Sequence, residues 1–144
     1  MSYTVSMFDR CIYFNTTALA RQLDRVWTAA FQPFGLTPPQ GFMLRAVLLR
    51  PGLLQSELAD ELKIARATAT RGLDGLEARG LIVRTKSTGD KRESLITPTA
   101  EAIAIKDALN AASGAVTQRL QGVFGDQVFA GFVEQAKAIA AKLE

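Results

Sequence analysis

The chain has 144 residues, of which 48% are hydrophobic and 22% charged, with a net charge of +3, one cysteine and no histidine. This composition is typical of one soluble globular domain, the lone cysteine excludes an intrachain disulfide, and the missing histidine removes the commonest metal ligand and general base. Structural zinc and Ser-His or Cys-His catalysis are thereby excluded, so we predict a protein that is not an enzyme and holds neither metal nor cofactor.

The N-terminus lacks the basic and apolar regions of a signal peptide. No run in the chain approaches the roughly eighteen apolar residues that a membrane-spanning helix needs. We therefore expect the protein to stay in the cytoplasm and to have no membrane partner.

Residues 8–34 have the periodicity of a long amphipathic helix. Such a helix has more apolar surface than the local core of a small domain uses, so we expect its excess face to pack against a partner subunit. Trp27 and Phe31 flank its apolar stripe. The stripe comprises Phe8, Ile12, Leu19, Leu23, Val26 and Ala30.

Residues 37–40, TPPQ, predict the start of a second helix. Thr37 can cap the helix, proline is tolerated in a first turn, and Gln40 completes a capping box. The helix is predicted to run to about Arg50, where a Pro-Gly pair ends it.

Residues 55–97 predict two short helices and then a hairpin, the order of a winged helix-turn-helix. Gly80 can take positive φ and so close the second helix. Strands at 81–86 and 91–97, joined by a turn at 87–90, complete the hairpin. The apolar positions expected to be buried are Leu58, Leu62 and Ile64 in the first helix and its turn, and Leu73, Leu76, Ala78 and Leu81 in the second and beyond it.

The exposed face of the second helix is predicted to carry arginine and threonine, and the hairpin carries bases. Such a helix fits the major groove of double-stranded DNA, and a basic hairpin reaches phosphates or the minor groove. The alternative is an ordinary solvated face. The predicted contacts are Arg66, Thr68, Thr70 and Arg71 on the helix, and Arg84, Lys86 and Lys91 on the hairpin.

Positive charge is concentrated in this region. From Lys63 to Arg92 the sequence has eight basic and three acidic residues, a net charge of +5, which leaves −2 for the rest of the chain. This distribution is the electrostatic footprint of a phosphate-binding surface.

Thr97 and Pro98 predict the start of another helix, whose apolar positions recur in alternating steps of three and four residues, as in a coiled coil. Gly122 and Gly125 are predicted to break this helix, and Asp126 to cap a last one. The seam comprises Ala102, Ile105, Leu109, Ala112, Val116, Leu120 and Val123, and the last stripe comprises Phe129, Phe132, Ala136, Ile139 and Leu143.

At these residues the chain resembles the MarR family of bacterial transcriptional regulators. The resemblance rests on residues 56–84, SELADELKIARATATRGLDGLEARGLIVR, and on Asp90-Lys91-Arg92, which matches the family's D-x-R wing motif. Leu95-Ile96-Thr97, leading into a long helix, extends it. At the wing, the resemblance implies that Arg92, oriented by Asp90, reaches toward the minor groove, whereas the alternative is a surface ion pair.

The resemblance implies a mainly α fold with a small β-hairpin wing, that is, a winged helix-turn-helix with long N- and C-terminal dimerisation helices. The first helix and the last two are expected to interleave with those of a second subunit in a homodimer. We expect one domain over residues 1–144, with dimerisation helices at about 8–34 and 98–144 and the winged helix-turn-helix at about 37–97.

The family's function implies a repressor that binds a pseudo-palindromic operator and occludes a promoter. Release is expected from a small ligand, often aromatic or phenolic, bound between the dimerisation helices and the DNA-binding lobe, or from peroxide. Aromatic residues at helical spacing are more often core, but such a pocket could be lined by Trp27, Phe31, Phe34 and Phe42.

Cys11 lies near the start of the first long helix, where the peroxide-sensing branch of the family has one reactive cysteine. The neighbouring Arg10 could favour its thiolate, and Tyr3 and Tyr13 are the two tyrosines available. The alternative is a small apolar residue at the edge of the helix stripe.

The chain departs from the family pattern at helix caps and in the second short helix. Leu54 and Ala65 stand where capping residues are usual. Gly72 and Gly75 interrupt the helix, and each costs roughly 0.5–1 kcal/mol relative to alanine, which predicts a less rigid helix. The rival interpretation, a winged-helix protein-interaction module without DNA binding, is disfavoured by the +5 segment.

Overall fold

The computed structural model describes residues 7–89 and 93–144, and most of them lie in helices. The order of the elements confirms the predicted mainly helical fold with a β-hairpin after the second short helix. The elements are α1 (Ile12–Phe31), a short 3-10 helix (Gln32–Phe34), α2 (Pro38–Leu49), β1 (Leu53–Leu54), α3 (Gln55–Leu62), α4 (Arg66–Ala78), β2 (Ile82–Lys86), β3 (Ser94–Pro98), α5 (Ala100–Phe124) and α6 (Asp126–Lys142).

The first helix is shorter than the predicted span of residues 8–34. Pro33 has no backbone N–H to continue the α-helical pattern, so the chain tightens into the 3-10 helix and turns at Gly35. At the other end α1 begins after Cys11. Phe8 and Ile12, which the predicted stripe includes, are exposed.

The start of α2 is as predicted. The Gln40 N–H donates to the Thr37 hydroxyl at 3.3 Å, and the Thr37 N–H donates to the Gln40 side-chain oxygen at 3.1 Å. These reciprocal bonds satisfy two backbone donors that the first helical turn leaves without partners. The predicted capping box is therefore confirmed.

The N-cap residues of α3 and α4 are Leu54 and Ala65, whose side chains make no capping hydrogen bond. At α3 Glu57 compensates, because its carboxylate accepts the Leu54 N–H at 2.8 Å. The predicted inner face of α4 needs one correction. Ala78 is exposed, and Ala69, one turn before Leu73, is buried instead. The period of α4 points position 78 away from α2, on which the helix packs.

Gly80 has a φ of 73°, a conformation that suits glycine, and it turns the chain from α4 into β2 as predicted. The sheet has the order β1-β3-β2. Strand β1 is absent from the sequence prediction because two residues are too few to show alternation. It pairs antiparallel with β3, with Leu53 opposite Ile96, and so attaches the hairpin to the body of the molecule.

The core lies where α1, α2, α4 and α5 meet the sheet. It is almost entirely aliphatic, and Phe31 is its single large aromatic side chain without solvent exposure. The core consists of Phe31, Leu36, Met43, Leu44, Val47, Leu48, Leu53, Leu58, Leu73, Leu76, Leu81, Ile82, Ile96, Ala102 and Leu109.

Three details of the last helices differ from prediction. Thr97 and Pro98 end β3, and the cap of α5 is Thr99, whose hydroxyl accepts the Ala102 N–H at 3.3 Å. Helix α5 continues through Gly122 and ends at Phe124, and Gly125, whose φ is 86°, is its C-cap. Asp126 is the first residue of α6 and not its cap, because Gly125 holds that position.

Candidate nucleic-acid interface

The first half of α4 presents a continuous polar face. Arg66, Thr68, Thr70 and Arg71 are all exposed, and Ala69 on the opposite side is buried. The helix period accounts for the exposure of positions 68, 70 and 71, which lie away from the line of 69, 73 and 76 that packs inward, whereas position 66 is in register with 69 and 73 and is exposed as the first residue of α4. The four helix residues predicted to contact DNA therefore share one accessible surface.

A residue that the sequence interpretation missed also reaches this face. The Gln55 side-chain amide donates to the Thr70 hydroxyl at 2.8 Å, and that hydroxyl donates to the Arg66 carbonyl at 3.0 Å. Gln55 is the first residue of α3, so the start of α3 lies beside α4. The only sequence signal for Gln55 was its place at a predicted helix start.

The hairpin continues the surface beyond α4. Lys86 is exposed near the end of β2, opposite Ser94 in β3. The next backbone hydrogen bond joins the Ser87 N–H to the Glu93 carbonyl at 3.0 Å. Asp90, Lys91 and Arg92, the predicted wing-tip residues, lie outside the described residues.

Arg84 was predicted to contact DNA, yet its side chain is turned toward α4. Its guanidinium is 2.6 Å from an Asp74 carboxylate oxygen and 3.0 Å from Glu77 Oε1. The Arg84 backbone N–H also donates to Glu77 Oε2 at 3.1 Å. The hydrogen bonds from Arg84 lower the pKa of Glu77, and the bond to Glu77 raises the pKa of Arg84.

Gly72 and Gly75 lie in a continuous helix. A Cβ atom at Gly72 would be 2.6 Å from the Met43 methyl carbon, and one at Gly75 would be 2.9 Å from the Gln40 side-chain nitrogen. Both glycines therefore let α4 approach α2 closely. Their presence has a packing reason that helix propensity alone does not reveal.

The four aromatic residues predicted to line a ligand pocket have different environments. Phe31 is fully buried in the core and Phe34 is half-buried against it. Trp27 lines an apolar groove between α1 and α6. Phe42 alone lines cavities between the long helices and the helix-turn-helix, one of about 320 Å³ and another of about 770 Å³ that extends to Thr68 and Arg71.

The smaller cavity has a polar wall that the sequence interpretation missed. Arg45 donates to the Asn110 side-chain oxygen at 2.8 Å and to the Ser113 hydroxyl at 2.9 Å, and it stacks over the Phe42 ring. Partial burial lowers the pKa of Arg45. Lys106 also lines this cavity.

Cys11 is exposed at the position before α1, and its side chain makes no capping hydrogen bond. The alternative to a redox role, a small apolar residue packed at the edge of the helix stripe, is therefore not met within the single chain. Over residues 7–89 and 93–144, no helix is both long and apolar enough to cross a membrane.

Comparisons with known proteins agree with this geometry. The model of the MarR family matches residues 34–93. The uncharacterized HTH-type transcriptional regulator YybA of Bacillus subtilis is 32% identical over 81 residues, which are 56% of this chain and 54% of that protein. The chain spans about half the length of the curated relatives it matches.

Solved structures match over nearly the whole chain. The transcriptional repressor CouR, bound to a 23-mer DNA duplex, has a TM-score of 0.85 at 24% identity and covers 97% of this chain and 99% of that one. The transcriptional regulator MosR of M. tuberculosis has a TM-score of 0.77 at 27% identity, with 93% of this chain and 98% of that one covered.

Proposed function

We propose that the chain, whose residues 34–93 match the model of the MarR family, is a transcriptional regulator that binds double-stranded DNA through α4 and the β2–β3 hairpin. One observation carries this proposal. Over residues 66–71 the exposed positions of α4 hold only arginine, threonine and alanine, and the two acids of the helix come later and face Arg84. Such a surface suits phosphates and base edges.

Within this surface we assign Thr68, Thr70 and Arg71 to the major groove, because the first half of a recognition helix enters it. Lys86 and Lys91 are assigned to phosphates, and Arg92 to the minor groove. The repressor CouR, which is similar in fold and is bound to a 23-mer DNA duplex, supports duplex DNA as the partner.

We further propose that the protein acts as a homodimer and represses by occupying a pseudo-palindromic operator. The groove of about 310 Å³ between α1 and α6 is lined only by apolar side chains. Helix α6 also leaves Val128, Phe132, Val133 and Ile139 exposed. A second copy of the chain would cover these faces and set the two recognition helices about 34 Å apart, one turn of DNA.

The test is selection of duplexes from a random pool by the purified protein, followed by salt titration of binding to the selected duplex. We expect palindromic half-sites, and a log–log salt slope of about −0.9 for each phosphate contacted. Sedimentation should give a dimer at micromolar concentration. A monomer, or an absence of any salt-dependent duplex binding, would contradict the proposal and favour the protein-interaction module instead.

The cavities suggest how a ligand would release the DNA. Phe42 offers an aromatic surface to both cavities, and the smaller one is lined by three bases, Arg45, Arg50 and Lys106, and by one acid, Glu61. This combination favours a small aromatic anion over a neutral ligand. We expect such compounds to release wild-type protein from the selected duplex, and Arg45→Gln to need a higher concentration.

Oxidation of Cys11 is the second route, and the exposure of this side chain supports it. Attack of the thiolate on an organic peroxide would give a sulfenic acid and an alcohol, and resolution would need an added thiol or the partner's cysteine. Peroxide should then release the wild type and leave Cys11→Ser bound. Equal responses of the two proteins would leave the reversible ligand as the signal.

A further inference from the structure

Among the predicted DNA contacts that the structure describes, Arg84 is the one whose side chain is turned away from the proposed DNA surface. Alternation along β2 places Arg84 on the same face as the buried Ile82, whereas Val83 points to the opposite, exposed face. The Arg84 side chain is only 19% exposed. Its donors are directed at α4.

The two carboxylates on α4 are spaced so that both can accept hydrogen bonds from the Arg84 guanidinium. Asp74 and Glu77 are three residues apart and therefore share one face of the helix. Arg84 contacts both carboxylates with its guanidinium, at 2.6 Å and 3.0 Å, and holds the second oxygen of Glu77 with its backbone N–H at 3.1 Å. We call Asp74, Glu77 and Arg84 the helix–wing cluster.

The position of the cluster along the hairpin determines what it can do. Arg84 lies opposite Ile96, the buried residue of β3, and the next two residues of β2, Thr85 and Lys86, are exposed. The cluster is therefore the outermost described contact that fixes β2 on α4. Beyond it, none of the described hairpin residues 85–89 and 93–95 has a side chain buried in the body.

The cluster also alters the charge of α4. Asp74 and Glu77 would repel DNA phosphates, because both lie on the helix that we propose to enter the major groove. The Arg84 charge cancels one of the two. A guanidinium suits this place better than an ammonium, since its planar fork can serve two acceptors at once.

We propose that Arg84 is a positioning residue that fixes the angle between the wing and the recognition helix through Asp74 and Glu77, and that it makes no DNA contact of its own. The consequence for recognition rests on the proposed function. If the wing and α4 bind one duplex, the angle between them sets whether both can reach it together.

The first test needs no DNA. Backbone amide exchange in β2, followed by NMR in the full-length protein, is compared between the double variant Asp74→Asn/Glu77→Gln and the control Lys86→Ala on the same strand. We expect exchange at Arg84 to be about tenfold faster in the double variant and unchanged in the control, since exchange reports local opening. Unchanged exchange in the double variant would overturn the proposal.

The second test is a mutant cycle on binding to the selected duplex. Arg84→Ala should weaken binding about tenfold in the wild-type background, and less than about twofold when Asp74 and Glu77 are already neutral, because coupled residues are not additive. A phosphate contact would instead cost the same factor in both backgrounds and lower the salt slope by about 0.9, as expected for Lys86→Ala.

Two further outcomes separate the possible failures. If Arg84→Ala does not fold, Arg84→Lys replaces it in the binding measurement. A positioning role predicts that Arg84→Lys weakens duplex binding about as much as expected for alanine. A phosphate contact predicts that Arg84→Lys binds the duplex nearly as well as the wild type. If the wild type selects no duplex while exchange in β2 responds as expected, the proposed function fails and the positioning role of Arg84 stands.

Discussion

The ring of Phe31, the last residue of α1, lies directly against the backbone of Gly41 in α2. A Cβ atom at position 41 would be 2.3 Å from the nearest ring carbon. Phe31 has no solvent exposure, so its ring cannot swing aside. The close contact between α1 and α2 therefore requires a residue without a side chain at position 41.

Gly41→Ala should destabilise the protein by about 1–3 kcal/mol, the usual range for overpacking a core. The matched control is Gly114→Ala in α5, where a Cβ atom would meet nothing within 4 Å in the chain. The control should be neutral or gain up to about 1 kcal/mol from helix propensity. Urea unfolding measures both, and equal effects of the two substitutions would contradict this packing.

Ser113→Ala should also be costly, because the Ser113 hydroxyl accepts hydrogen bonds from the Trp27 indole at 3.1 Å and from Arg45 at 2.9 Å. Its removal leaves two donors without this partner in a largely buried place, which costs about 1–3 kcal/mol. Trp27 is the single tryptophan, so its fluorescence reports the transition. A loss below about 0.5 kcal/mol, typical of a surface site, would show that water replaces the hydroxyl.

The helix–wing cluster predicts an acid-dependent part of the stability. Hydrogen bonds from Arg84 lower the pKa of Glu77 in the folded chain. The stabilisation is therefore fully present above the unfolded glutamate pKa of about 4.3, and it is lost as the pH falls through the lower folded pKa. Glu77→Gln should show a smaller fall in melting temperature on acidification below about pH 4 than the wild type. A fall as large as that of the wild type would contradict the assignment.

On DNA, Thr68→Ala and Lys86→Ala should have different signatures. Thr68 is on the exposed face of α4, and Lys86 is on the hairpin. Thr68→Ala should change which half-site is selected, with a cost of about 1–3 kcal/mol at the bases it reads and little change in salt slope. Lys86→Ala should weaken all duplexes alike and reduce the slope by about 0.9.

Arg92→Ala tests the wing tip, which only the sequence assigns. We expect weaker binding to the selected duplex and a salt slope reduced by about 0.9. Binding equal to that of the wild type across a salt titration would remove Arg92 from the interface. The Lys86→Ala variant serves as the comparison on the same hairpin.

The sequence alone was sufficient for the features that local chemistry dictates. Thr37 and Gln40 form the predicted capping box because both groups lie within one turn, and Gly80 takes positive φ because few other residues tolerate it. The exposure of Thr68, Thr70 and Arg71 on α4 followed from the helical period. The resemblance to the MarR family was also visible at this level, because the residues that carry it lie mostly in one continuous stretch.

Tertiary structure decided whatever depends on residues far apart in the chain. In the sequence, Arg84 is one of the basic residues of a segment with a net charge of +5. Only the packing of β2 against α4 places its side chain beside Asp74 and Glu77. Helix propensity alone predicts that Gly72 destabilises α4, whereas in the folded chain the Met43 side chain occupies the space that a Cβ atom would need. Strand β1 exists because β3 lies beside it, and two residues have no periodicity of their own. Packing joins partners that no local pattern pairs, and this is why these features required the folded chain.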